Sequence, residues 1–310
     1  MSQNGRILSG LGGGMYNVRL DNGTDISCYA RGLFRYQNTT VTVGDYVIIE
    51  TEQDGSAAIR DIAERKNLLI RPPIANLDIL FVVVAAASPE PLLLTVDKMV
   101  AIAEYNDIEP VIVVTKSDLD AAKADYIAEI YKRSEFHVFI GTDGLADFIE
   151  SYGQGKTAAF AGASGVGKST LMNNLFPKRV SLSTGEVSQR TNRGRHTTRH
   201  VELFPISELT DNTVDNPKGN PLYTGYLADT PGFSLLDFIK FDFFTKENII
   251  FTFREFEPYI TTCRYTKCTH TKEEGCTILE AVANGIIPAE RHASYLEIYN
   301  DLKDKKDWKK

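Results

Sequence analysis

Over residues 1 to 68, apolar positions come in short runs divided by turn residues. Arg6-Ile7-Leu8, Tyr16-Asn17-Val18-Arg19-Leu20, Ile26-Ser27-Cys28-Tyr29 and Tyr46-Val47-Ile48-Ile49-Glu50 are rich in β-branched and aromatic side chains. Asp21-Asn22-Gly23 and Asp54-Gly55 supply turns. About five strands in so short a segment predict a small closed all-β barrel of the OB (oligonucleotide-binding) type. From residue 69 the pattern changes. Ile79-Leu80-Phe81-Val82-Val83-Val84 is a continuous apolar run, as in a parallel strand buried on both faces, and Val111 to Val114, Val138 to Ile140 and Ala158 to Ala161 repeat it. Helical stretches lie between, at Leu94 to Tyr105 and Ala121 to Arg133, so the middle of the chain predicts an α/β sheet covered by helices. After residue 240 the pattern turns helical and charged, with no internal repeat. The expected division is a multidomain chain: a barrel over 1–68, an α/β domain over 69–238 and a helical domain over 239–310.

Composition narrows the class. With 43% hydrophobic and 24% charged residues, the chain is an ordinary globular protein. Its longest apolar run, Ile79 to Ala87, is far short of the roughly 20 residues that span a bilayer. Met1-Ser2-Gln3-Asn4-Gly5 lacks the apolar stretch of a secretory signal, so a cytoplasmic protein with no membrane partner is expected. The net charge of −7 argues against coating nucleic acid through bulk charge, leaving local basic patches for any RNA contact. The barrel reads equally as a nucleic-acid contact or as a spacer.

Chemistry concentrates in four places. Gly162-Ala163-Ser164-Gly165-Val166-Gly167-Lys168-Ser169 fits G-x-x-x-x-G-K-[ST] between an apolar strand and a helical stretch opening at Thr170. Glycines let backbone amides curl around phosphates, and the helix start adds a favourable dipole. Lys168 is expected on the β- and γ-phosphates and Ser169 on Mg²⁺. Thr115-Lys116-Ser117-Asp118 resembles the base-recognition motif N-K-x-D. There the Asp118 carboxylate accepts two hydrogen bonds that guanine donates and adenine does not, and the Lys116 stem covers the base. Thr115 stands where Asn is usual. Asp229-Thr230-Pro231-Gly232 looks like D-x-x-G, with Asp229 holding magnesium through water and the Gly232 amide sensing the γ-phosphate. A third base-contacting loop should follow Val138 to Ile140, and only Gly141 stands out there.

The order of these motifs is permuted. Asp118 precedes Gly162 and Asp229 comes last, as if a standard GTPase sheet were cut after its D-x-x-G strand and its old ends joined. The second switch then leads straight into the C-terminal segment. Between the phosphate-loop helix and the next strand lies Arg190 to His200, where Thr198, favoured over Thr197, would close on magnesium. Phe233 follows Gly232 and cannot orient a water. His196 is the nearest catalytic candidate beside Lys168 and Thr198, with a plain exposed loop histidine as the alternative. The loop arginines suit either a phosphate backbone or a solvated face.

Cys263, Cys268, His270 and Cys276 form C-x4-C-x-H-x5-C, holding three of four cysteines within fourteen residues. Three thiolates and an imidazole suit one structural, tetrahedral Zn²⁺ rather than disulfides or an open catalytic metal. Cys28 is expected in the barrel core. Arg264, Lys267, Lys272, Lys303, Lys305, Lys306, Lys309 and Lys310 offer either an RNA-facing surface or a solvated one.

Barrel, permuted P-loop domain and finger together resemble the RsgA family of bacterial, ribosome-associated GTPases. The likeness runs over nearly the whole chain, through Arg71-Pro72-Pro73-Ile74-Ala75-Asn76, T-K-S-D, G-A-S-G-V-G-K-S, H-T-T-R, D-T-P-G-F and the finger. It implies binding of GTP/GDP, the small ribosomal subunit and its rRNA late in that subunit's maturation, with ribosome-stimulated hydrolysis to GDP and phosphate; a monomer is expected. The departures are Thr115 and the unmatched third base loop. Two rival classes remain on the residues alone: a zinc-finger RNA-binding module whose GTPase fold only reports nucleotide, and an ATP-dependent P-loop enzyme, against which Asp118 argues.

Overall fold

The computed structural model describes residues 2–32, 34, 39–52, 56–176, 201–209, 225–229 and 244–303. Its strands are β1 (Ser2–Gly12), β2 (Met15–Leu20), β3 (Asp25–Ala30), β4 (Tyr46–Thr51), β5 (Ala57–Ile62), β6 (Leu68–Ile70), β7 (Pro73–Ala75), β8 (Ile79–Ala85), β9 (Glu109–Thr115), β10 (His137–Ile140), β11 (Lys156–Ala161), β12 (Glu202–Pro205) and β13 (Gly225–Asp229). The α-helices are α1 (Leu93–Tyr105), α2 (Ala121–Arg133), α3 (Leu145–Ser151), α4 (Lys168–Leu175), α5 (Ile206–Leu209), α6 (Thr277–Ala283) and α7 (Ala289–Lys303). The chain folds as two compact units, one of residues 1–79, 146–160 and 172–233, the other of 80–145, 161–171 and 234–310.

In the first unit, β1 to β5 close into the expected barrel. Their order is β1-β2-β3-β5-β4, and β4 returns to β1 through Ser2↔Glu50 to Arg6↔Tyr46. The β3–β5 contact is parallel and the other barrel pairs are antiparallel. Alternation sends Ile7, Val18, Leu20, Cys28, Val47, Ile49 and Ile59 inward, with Phe34 and Val41 closing the core. The run β11-β13-β12 continues from β1: β11 and β13 are parallel, β12 is antiparallel to β13, and Ser9 pairs with Glu202. Arg6 fastens the barrel to this run. Its guanidinium, 3% exposed, lies 4.6 Å from the rings of both Tyr46 and Tyr226 and donates to Thr157 Oγ1 at 2.6 Å and Asn76 O at 3.3 Å. The segment containing Arg71-Pro72-Pro73 forms the small β6–β7 hairpin. The expected Asp54-Gly55 turn lies outside the described residues.

In the second unit, β9 sits between β10 and β8, with β10 parallel to it. Every residue of β8 and all but the first of β9 are buried, which is why both read as unbroken apolar runs. Asp120 caps α2 by accepting from the Lys123 amide at 2.9 Å, and Lys132 and Arg133 sit favourably in its last turn. Residues 244–303 pack in the same unit. Phe253 and Phe256 stack at 5.1 Å, Tyr295 of α7 meets both rings edge-on, and Phe244 lies 5.1 Å from Tyr105 of α1.

A buried ion cluster joins α7 to α1. Arg291, 1% exposed, donates to Asp97 Oδ1 at 2.5 Å and to both Glu255 oxygens at 2.6 and 3.2 Å. Tyr131 donates to the same Asp97 oxygen at 2.8 Å. Burial pushes the Asp97 carboxyl up against the pull of Arg291. Burial would also discharge Arg291, but the two carboxylates outweigh it and hold the guanidinium charged. Nothing in a charged C-terminal helix signals that its one arginine lies in the interior.

Candidate functional site

The phosphate-loop sequence takes up a backbone that only glycine tolerates. Gly162 has φ +151°, and a Cβ there would lie 2.4 Å from Val83 O, so the loop can rest on β8 only without a side chain. Gly167 has φ +96°, and α4 starts at the next residue, with the Leu171 amide donating to Gly167 O at 2.9 Å. Lys168 folds over the loop and donates to Gly162 O at 2.7 Å and Ala163 O at 2.8 Å. Burial lowers its ammonium below the usual lysine range, a shift that an incoming anion would oppose. Ala163, Ser164, Gly165 and Val166 make up the rest of the loop, Ser169 and Thr170 lie in the first turn of α4, and a helix start suits an anion such as phosphate.

The T-K-S-D turn adjoins this cradle. Thr115, 7% exposed, closes β9 and donates its hydroxyl to Val166 O at 2.5 Å, with Val84 O at 3.3 Å. Lys116 takes φ +56° and hydrogen-bonds Ser88 O. The turn closes with the Leu119 amide on Lys116 O at 3.1 Å, leaving Asp118 exposed. Beside it, Gly141 donates its amide to Val114 O at 2.8 Å and opens a short exposed loop to Gly144. The structure thus gathers the cradle, Thr115, Lys116, Asp118 and Gly141 in one unit.

Asp229 ends β13 in the other unit, directly opposite Glu202. Burial, then the Asp229 charge, raises the Glu202 carboxyl. Sequence reading missed Glu202, because β12 is only four residues long. His196, Thr197, Thr198, Thr230, Pro231, Gly232 and Phe233 lie outside the described residues, as do Lys305, Lys306, Lys309 and Lys310.

The cysteine cluster converges as expected. Cys263 Sγ lies 3.8 Å from Cys276 Sγ and 3.5 Å from His270 Nδ1, and Cys276 Sγ lies 3.4 Å from that nitrogen. With Cys268, all four ligand atoms fall within 4.8 Å of one another. A tetrahedral zinc with thiolates at ~2.3 Å and imidazole at ~2.0 Å has sulfur–sulfur edges of about 3.8 Å and sulfur–nitrogen edges of about 3.5 Å, so the group fits that ion. Burial lowers the His270 imidazole and keeps it neutral, the form a metal needs. Burial also raises the Cys276 thiol and pushes Cys268 up to about 12, so a cation is what would draw their protons off. Glu273 accepts from the Thr269, Thr271 and Lys272 amides and shapes the intervening loop. The loop backbone is tied to α7, where His292 Nε2 donates to His270 O at 2.8 Å and the Tyr295 hydroxyl to Thr269 O at 2.9 Å. Cys28 lies fully buried in the barrel core, its thiol raised by burial to about 11, a structural and inert position.

Comparison with known proteins agrees with this architecture. The family model "RsgA GTPase" matches residues 62–239 and "RsgA N-terminal domain" matches residues 4–59. Proteins named small ribosomal subunit biogenesis GTPase RsgA from Caldanaerobacter subterraneus subsp. tengcongensis and Bacillus subtilis are each 37% identical to this chain. The matches span 97% of it and 96% and 98% of the relatives. The crystal structure of YjeQ from Thermotoga maritima superimposes with a TM-score of 0.78 at 30% identity, covering 99% of this chain and all of that one. YloQ, described as a circularly permuted GTPase, gives 0.76 at 33% identity, covering 99% and 96%. A barrel, a permuted P-loop fold and a Cys3His group in one chain, matched along almost its full length, make this protein a member of the RsgA GTPase family.

Proposed function

We propose that this chain binds GTP with magnesium, hydrolyses it to GDP and phosphate, and acts in the late maturation of the small ribosomal subunit. Its relatives carry the name small ribosomal subunit biogenesis GTPase. The observation that carries the reading to this chain is the conjunction, in one unit, of a glycine-built phosphate cradle and an exposed Asp118 carboxylate on the adjoining turn. Lys168 binds the β- and γ-phosphates, the loop amides hold the phosphate chain, and Asp118 selects guanine while the Lys116 stem covers the base. Ser169 and Thr198 would ligate magnesium, Asp229 would hold it through water, and Gly232 would read the γ-phosphate. Magnesium, when bound, neutralises charge that builds on the phosphates. Phe233 carries no group that could orient the attacking water, so His196 is the residue assigned to assist it. Cys263, Cys268, His270 and Cys276 hold one structural zinc.

The chain works as a cytoplasmic monomer divided into barrel (1–68), GTPase (69–238) and metal-binding (239–310) parts, with the barrel and the finger's basic residues meeting rRNA. GTP favours the subunit-bound form and hydrolysis triggers release. The test is the hydrolysis rate of GTP and ATP, each with and without purified small subunits. A slow, GTP-selective rate that rises sharply with subunits is expected. A rate indifferent to subunits would leave the nucleotide chemistry and remove the ribosomal role. Equal subunit affinity with a GTP analogue and with GDP would sink the release step.

A further inference from the structure

Thr115 occupies the first position of the base-recognition motif, yet its side chain faces the phosphate loop. The residue is 7% exposed, and its hydroxyl hydrogen has two acceptors in reach, Val166 O at 2.5 Å and Val84 O at 3.3 Å. The first is the better bond by length, and a hydroxyl has one hydrogen to give. Asparagine, usual at this position, carries two donor hydrogens and can donate to two acceptors at once; threonine has one hydrogen and can donate to only one.

The acceptor's place in the loop gives the bond its meaning. Val166 lies between Gly165 at φ +79° and Gly167 at φ +96°. Its carbonyl shares a planar trans peptide with the Gly167 amide, so the C=O and N–H point in opposite directions. Anchoring Val166 O on Thr115 therefore turns the Gly167 N–H away from the sheet and toward the side where a phosphate chain lies. The Thr115 Cβ and methyl also pack near Gly167, 3.8 and 4.0 Å from where a Cβ would sit. On one side of this peptide Gly167, at φ +96°, has no side chain to restrain the peptide's orientation.

We infer that Thr115 is a positioning residue for phosphate binding: it fixes the Val166–Gly167 peptide so that the Gly167 amide is preset toward the phosphates, and it makes no contact that distinguishes the base. This rests on the proposed nucleotide reading and deepens it by separating two jobs within one four-residue motif. Asp118 sets base identity, and Thr115 sets the strength of phosphate binding.

The experiment measures affinities of the full chain for GDP, IDP and inorganic pyrophosphate by competition against a fluorescent GDP. IDP lacks the exocyclic amine that Asp118 would accept from, so wild type should prefer GDP. Thr115→Val keeps the shape and removes the donor. It should weaken all three ligands by one common factor, about tenfold for a lost buried hydrogen bond, leaving the GDP-to-IDP ratio as in wild type. Thr115→Ser, which restores the donor, should recover most of that loss. Asp118→Asn should do the reverse, changing the ratio while sparing pyrophosphate. Should Thr115→Val not fold, Thr115→Ala carries the same comparison. A changed GDP-to-IDP ratio in Thr115→Val, or pyrophosphate affinity equal to wild type, overturns the inference. Wild type that fails to prefer GDP over IDP overturns the nucleotide reading instead.

Discussion

The phosphate cradle and the cysteine cluster belong to the same compact unit and are built in opposite ways. Around the cradle, buried strands supply the rigidity. β8 and all but the first residue of β9 are buried, Gly162 rests against the Val83 carbonyl, and Thr115 ties the loop to the end of β9. The finger has almost no interior. Between residues 260 and 275 only His270 is buried, and what holds the segment is four ligand atoms, the bonds around Glu273 and two hydrogen bonds to α7. The difference teaches that the first site is held by packing against strands, whereas the second has little but its four converging ligand atoms and their loop bonds to hold it.

Removing the metal should separate the two regions most strongly. A structural zinc contributes on the order of 10 kcal/mol to the segment it closes. Chelation, or Cys276→Ser, should abolish bound zinc by elemental analysis and expose 260–276 to proteolysis, while GDP affinity stays near its starting value. A parallel fall in GDP affinity would erase the distinction. Next comes Arg291→Met, which leaves Asp97 and Glu255 buried and unpaired at a cost of about 3–5 kcal/mol. Urea unfolding should report a large drop in midpoint seen by probes in both regions, because Arg291 joins α7 to α1. A loss confined to the C-terminal probe would show the two regions to be less coupled than their shared interior implies. The smallest effect is expected from Asp118→Asn, which acts on an exposed side chain and should leave the unfolding midpoint unchanged. It should weaken GDP by about 1.5–3 kcal/mol, the range for a hydrogen bond to a charged group. It should also improve binding of XDP, whose 2-oxo group accepts from the new amide. Calorimetry with both nucleotides checks the exchange.

Much of this was legible in the sequence because local chemistry carried it. The run Ile79 to Val84 and strand β8 differ by a single residue, since burial on both faces permits no polar interruption. The helix expected at Ala121 to Arg133 matches α2, whose Asp120 cap marks its start. Metal ligands spaced over fourteen residues converge with little help from the rest of the chain. What stayed hidden depends on distant partners. β1 runs from Ser2 to Gly12, though only Arg6-Ile7-Leu8 looked like strand, because its polar ends are defined by pairing with β2 and β4. Arg71-Pro72-Pro73 gave no strand signal in the sequence and lies in the β6–β7 hairpin. Thr115 stood out only as a departure from the usual Asn, with nothing to set Val166 O beside it, and no local pattern marked Arg291 as interior.

Arg6 bears on how freely such a chain could be reassembled from parts. The barrel is a closed body of short strands, the kind of piece that shuffling would move between proteins. Its arginine, however, sits between a tyrosine of β4 and a tyrosine of β13 and donates to a threonine of β11. A barrel borrowed from elsewhere would bring no cation to that place, and the recipient would be left with two tyrosines and a hydroxyl shaped around a missing guest. The seam therefore works as a lock that accepts one key, and barrel and sheet are to be expected to change together over evolutionary time rather than as interchangeable modules.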